Sequence, residues 1–206
     1  MSTATEFWTW FREHHTAYTF LHSLDDDVKE QLLEDFLEHL HLFSENVYFE
    51  IGGQPDEDQE LVITAEGDRN YFDKVEELVR AAPRLSGWTI TAFKQPVDEH
   101  FKSCWADVEL DTEDMWFLPL GSSNPADLGI RVYLRNHELV KDNEYLLPLL
   151  YKVLDTILGE KSFSVDIDYV DTDLLPDNPE EEEMYPILQL PQYVGWHKAQ
   201  VQTSNN

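Results

Sequence analysis

The 206-residue chain carries 14 Lys and Arg against 42 Asp and Glu, a formal net charge of −28, with 42% hydrophobic and 13% aromatic residues. Such a surface repels phosphate backbones and anionic headgroups, so neither nucleic acid nor membrane is expected among its partners. The hydrophobic content is enough for a real core, and one α+β domain with an appended tail is the default at this length.

In chain order, the N-terminal stretch "EFWTWFREHHTAYTFLHSL" places Phe7, Trp8, Phe11, Tyr18 and Leu21 at mostly helical spacings, an aromatic-rich first helix. Residues 26–43 follow as a clearer helix, with Ser23 and Asp26 in capping positions. Val28, Leu32, Phe36, Leu40 and Phe43 form its apolar stripe, widened by Leu33 and Leu37. "NVYFEIGG" and "QELVITAEG" read as two strands of a hairpin across "GGQPDED". A helix with inner face Phe72, Val75, Leu78, Val79 and Ala82 then runs to Pro83, and "GWTITAFKQ" is the next strand.

The order strand–strand–helix–strand recurs. "DMWFLPL" and "LGIRVYLRN" are strands, residues 138–158 are helical with a break expected near Leu147 ahead of Pro148, and "KSFSVDIDYV" follows Gly159 as a strand. The strand "WADVELD" lies between the two modules. These elements predict a mixed sheet of about six or seven strands with helices packed on one face, a pseudo-duplicated β-β-α-β unit and an N-terminal helical region. The domain is expected over 1–170, helical in 1–45 and sheet with helices in 46–170. Residues 171–206 are expected as an acidic, Pro-rich extension, with "DTDLLPDNPEEEEMYP" a loop, "ILQLPQYVGWHKAQ" docked as an extended segment and "VQTSNN" frayed.

The strand-to-helix junction "ITAEGDRNYF" has the layout of a phosphate-binding loop and the chemistry of an inert turn. It holds one glycine, Gly67, between Glu66 and Asp68, whose carboxylates repel phosphate. Asp68 fits the helix-capping position, and Gly67 supplies backbone freedom. The elements ITAEG, then a helix with V..LV..AP, then W and AF, over residues 47–96, resemble a segment of uncharacterised bacterial proteins of unknown function. A looser echo lies at "LLYKVLDTILGE". The resemblance implies a bacterial protein and transfers no catalytic residue.

Cys104 is the only cysteine, so no intrachain disulfide can form. Beside Trp105 it reads as a buried, inert thiol, because no basic cluster is placed to activate it. No basic leader precedes a long apolar run, and the cytoplasm is the expected location. Five of the eight histidines, His14, His15, His22, His39 and His41, fall in the first 41 residues but share no single helical face. Glu38 and His41 form one Glu-x-x-His pair, an incomplete ligand set, so neither a metal nor another cofactor is expected. No nucleophile or dinucleotide motif is present, and no catalytic residue is assigned.

Strand alternation places Asp107, Glu109 and Asp111 on one face opposite Val108 and Leu110. It likewise sets Asp166 and Asp168 opposite Val165, Ile167 and Tyr169, and Arg131, Tyr133 and Arg135 opposite Ile130, Val132 and Leu134. Two readings follow: cross-strand charge pairing on a solvated face, or a carboxylate cluster that binds a basic peptide or cation. The function expected first is a non-enzymatic interaction or regulatory protein that meets a basic protein partner through Asp107, Glu109, Asp111, Asp166 and Asp168. The alternative is an enzyme or metal-binding protein using carboxylates with Glu38 and His41.

Overall fold

The computed structural model describes residues 3–19, 21–53 and 58–204. The chain is α+β, and it divides into two compact units, Met1–Lys94 and Gln95–Asn206. Each unit buries its own apolar cluster and pairs its own strands, and the domain expected over 1–170 spans the first unit and part of the second.

The first unit contains helix α1 (Ala4–His14), α2 (Asp26–Phe43), strands β1 (Tyr48–Gly52) and β2 (Gln59–Thr64), helix α3 (Phe72–Arg80) and strand β3 (Trp88–Ala92). Thr3 and Glu6 close a capping box on α1. Helix α2 has the boundaries expected from its periodicity, although Asp25, not Ser23, occupies its N-cap. The stripe of α2 splits by depth. Phe36, Leu40 and Phe43 are buried with Phe7, Trp8 and Phe11 of α1, Leu61 and Ile63 of β2, and Val75 and Leu78 of α3, whereas Leu33 is only half-buried and Val28 is exposed. Two polar groups of this core have partners: the Trp8 indole N–H donates to the Leu78 carbonyl at 2.7 Å, and the Tyr18 hydroxyl donates to Asp35 Oδ2 at 3.1 Å. The three-stranded sheet runs β1–β2–β3, the first pair antiparallel and the second parallel, with Phe49 opposite Ile63 and Ile51 opposite Leu61. Part of the β1–β2 connection, residues 54–57, lies outside the described residues.

The second unit contains β4 (Lys102–Trp105), β5 (Val108–Asp111), β6 (Met115–Leu120), β7 (Gly129–Leu134), α4 (His137–Val140), α5 (Leu146–Leu158), α6 (Glu160–Asp166), β8 (Tyr169–Leu174), β9 (Tyr185–Pro186) and α7 (Leu190–Ser204). Strands β4 and β5 form a separate hairpin, and the four-stranded sheet runs β8–β7–β6–β9. Here too an antiparallel pair, β6–β7, is followed by helix and then by a parallel partner, β8, so the β-β-α-β order recurs with the same pairing senses. Among the described residues the strands divide among three sheets and do not form one continuous sheet.

Three local expectations are overturned in this unit. The helical break falls at 141–145, and Pro148 sits in the first turn of α5, where its missing N–H has no helical partner to lose. Residues 160–166 are helical, not extended. Phe163 and Ile167 follow a helical spacing, Ile167 is buried and Val165 and Tyr169 are exposed, which a strand alternation forbids. The C-terminal stretch expected as an extended segment is helix α7, which buries Leu190 and Val194 one turn apart beside Ile187. The polar-looking tail is thus part of the core.

Candidate functional site

The five carboxylates singled out from alternation do not share a face. Val108 and Leu110 are buried as alternation requires, but Asp107 lies in the β4–β5 turn, where its Oδ1 accepts from Asn143 Nδ2 at 2.9 Å. Lys102 answers the other two, with Nζ 2.7 Å from Asp111 Oδ2 and 3.8 Å from Glu109 Oε1. The hydrogen bond to Asp111, then the nearby carboxylate charges, raises the Lys102 ammonium above its ordinary value. That same bond, joined by the Glu113 amide, holds the Asp111 carboxyl below the usual carboxylate range. Asp166 ends α6, where Lys198 Nζ and Ser162 Oγ donate to it at 2.9 and 2.8 Å. Asp168 Oδ2 accepts the Leu128 amide at 2.9 Å while its own amide donates to the Leu128 carbonyl at 2.9 Å. Asp166 and Asp168 are therefore separated by the end of a helix and serve local structure. These groups already have partners.

The arginine strand behaves similarly. Arg131 donates through Nε to Asp171 Oδ2 at 2.9 Å and Arg135 to Asp114 Oδ1 at 2.6 Å, while Tyr133 is buried with Leu175 and Met184. Cys104, expected buried, is exposed on β4. Glu38 is exposed. The histidine side chains pack on aromatic rings: His39 stacks on Trp10 at 4.0 Å and His41 meets Tyr48 edge-on at 5.6 Å. Among the described residues no group of three or more His, Cys, Asp or Glu side chains is placed to hold a metal ion. None of the helices there is long and apolar enough to cross a membrane.

The turn at Gly67 is a tight structural junction. Glu66 and Gly67 both have positive φ, 50° and 85°, the Glu66 amide donates to Thr64 Oγ1 at 2.9 Å, and Asp68 accepts the Asn70 amide at 3.0 Å. Asp68 caps the 3₁₀ turn 69–71 that leads into α3.

Carboxylates without such partners meet an apolar surface elsewhere, in the first unit. A groove of about 700 Å³ between α2 and β1 is lined by Leu33, Leu37, Phe49 and Ile51, with Asp26, Glu30, Glu34 and Glu50 at its margins and Lys29 as its single cation. Asp26, Glu30 and Glu34 repeat at one-turn spacing along α2, and no ion pair reaches any of them among the described residues. Glu50 is the exception, 3.4 Å from Lys94 Nζ. None of the five carboxylates singled out from the sequence lies at this site. Its available signals were the ladder of three carboxylates at one-turn spacing and the widening of the apolar stripe by Leu33 and Leu37, which marks side chains that face the groove beside those that face the core. No protein-family model, curated protein or solved structure matches the chain.

Proposed function

We propose that this chain is a non-enzymatic interaction protein of the bacterial cytoplasm whose acidic surface binds a basic protein partner, with the α2–β1 groove as the contact. The observation that carries the reading is the apolar floor of Leu33, Leu37, Phe49 and Ile51 set beneath the uncompensated carboxylates of Asp26, Glu30 and Glu34. A solvated acidic face needs no such floor. A contact that desolvates charge and apolar area together gains both attraction and hydrophobic burial. The net charge of −28 adds long-range steering of cations toward any such contact.

The test is calorimetric titration with a short oligolysine at low and high salt. Titrations use wild type, the variant Asp26→Asn/Glu30→Gln/Glu34→Gln, and a comparison variant with Asp107, Glu109 and Asp111 converted to their amides. The expected result is binding that weakens with salt, is lost in the first variant and is kept in the second. Equal binding by all three proteins would refute the assignment, since the acidic surface would then act only through total charge.

A further inference from the structure

Resting on the reading above, we infer that the basic partner docks as an extended segment that adds a strand to the free edge of β1, with basic and apolar residues in alternation. Strand β1 is the outer member of the sheet β1–β2–β3 and is hydrogen-bonded on one side, to β2, in register from Tyr48↔Thr64 to Gly52↔Glu60. An edge strand directs the N–H and C=O groups of alternate residues away from its partner, and no backbone bond to this outer side is present among the described residues. The groove runs beside that edge, between it and α2.

The geometry sets the occupant. Phe49 and Ile51 lie on one face of β1 and Glu50 on the other, as a period of two dictates. A strand added here would turn alternate side chains toward Phe49, Ile51, Leu33 and Leu37, which favours apolar residues. Its remaining side chains would stand beside Glu50 on the opposite face, which favours Lys or Arg. Asp26, Glu30 and Glu34 on α2 add attraction for cations flanking the apolar positions. A helix, whose backbone groups are internally satisfied, would leave the edge of β1 unpaired, whereas an extended chain satisfies it. Five residues of β1 span about 17 Å, so a short segment suffices.

The test uses a fluorescent peptide of alternating lysine and valine long enough to span β1, read by anisotropy and by amide NMR of the full chain. Two further peptides carry N-methyl groups on alternate backbone nitrogens, one along each edge, and a fourth replaces lysine with glutamate. The expected result is that the lysine peptide binds, that one N-methylated form weakens by at least about tenfold while the other does not, and that amides of 48–52 shift and gain exchange protection. The glutamate peptide is expected to show no binding. If both N-methylated peptides bind like the parent and 48–52 stay unprotected, strand addition is wrong while binding of cations at the groove survives. If the lysine peptide does not bind, or the glutamate peptide binds as well, both the strand addition and the underlying reading fail.

Discussion

Phe36 offers the sharpest check on how the first unit is held together. It is fully buried and sits among the rings of Phe7, Trp10, Phe11, Tyr18 and Phe49, with centroid distances of 5.6, 5.8, 5.6, 5.4 and 4.0 Å. Removing a buried Phe side chain to Ala costs about 3–5 kcal/mol through lost transfer energy and the cavity left behind. Edge-to-face and offset ring contacts add about 0.5–1.5 kcal/mol each, but one ring serves several partners here and the contributions do not sum. The expectation for Phe36→Ala is therefore the upper part of the range, about 4–5 kcal/mol. Phe36→Leu keeps most apolar volume and loses the ring geometry, and is expected to cost about 1–2 kcal/mol. Urea unfolding followed by tryptophan fluorescence, with native-state amide exchange for β2 and α3, measures both. A loss under about 1.5 kcal/mol for Phe36→Ala, or equal losses for the two variants, would refute an interlocked ring cluster.

Gly67→Ala is expected to destabilise by about 1 kcal/mol or more, because Gly67 holds φ at 85°; thermal unfolding unchanged from wild type would contradict this. Burial and then the Asp35 carboxylate raise the Tyr18 hydroxyl above its ordinary value of 10.0, so the folded state holds that proton more tightly than the unfolded chain does. The associated stability is intact below pH 10 and is lost as pH climbs from there toward the raised folded value. Tyr18→Phe should flatten that alkaline loss in a series of melting curves. Lys102→Met should return the Asp111 carboxyl toward 3.8 in a carbon-detected NMR titration. In wild type its lowered value gives a contribution present above the ordinary carboxylate value and lost as pH falls through the folded one. An unmoved Asp111 would mean that the 2.7 Å contact to Lys102 is not maintained in solution.

What could be read in advance followed the strength of the periodic signal. Helix α2 shows many apolar positions at one spacing, and its limits at Asp26 and Phe43 were legible. The β-β-α-β order was legible because Gly67, Pro83 and Gly159 punctuate runs of opposite period. Residues 160–168 were not. Phe163, Val165, Ile167 and Tyr169 satisfy strand alternation, while Phe163 and Ile167 also satisfy a helical turn, and burial of Ile167 without Val165 decided for the helix. Pro191 and Gly195 masked α7, since proline is harmless in a first turn and glycine is tolerated in a helix packed through Leu190 and Val194. The groove lay beyond pattern reading for another reason. Which strand stands at a sheet edge depends on pairing order, which no single segment encodes.

An open strand with apolar neighbours is also a hazard for the molecule that carries it, because such edges seed aggregation between identical chains. At neutral pH the carboxylates around β1 act as gatekeepers against stacking of one chain on another. Near the isoelectric point implied by the sequence, about pH 4.3, that protection fades, and amorphous or fibrillar assembly starting from residues 48–52 is expected as light scattering rises. A side chain added at Gly52 meets nothing within 4 Å, so Gly52→Lys can place a permanent cation on the edge without disturbing its surroundings. It should keep the protein clear in acid, whereas Leu139→Lys, an equal change of charge at a site 86% exposed on α4, should protect it far less. Equal protection by both would make the acid precipitation a matter of overall charge alone.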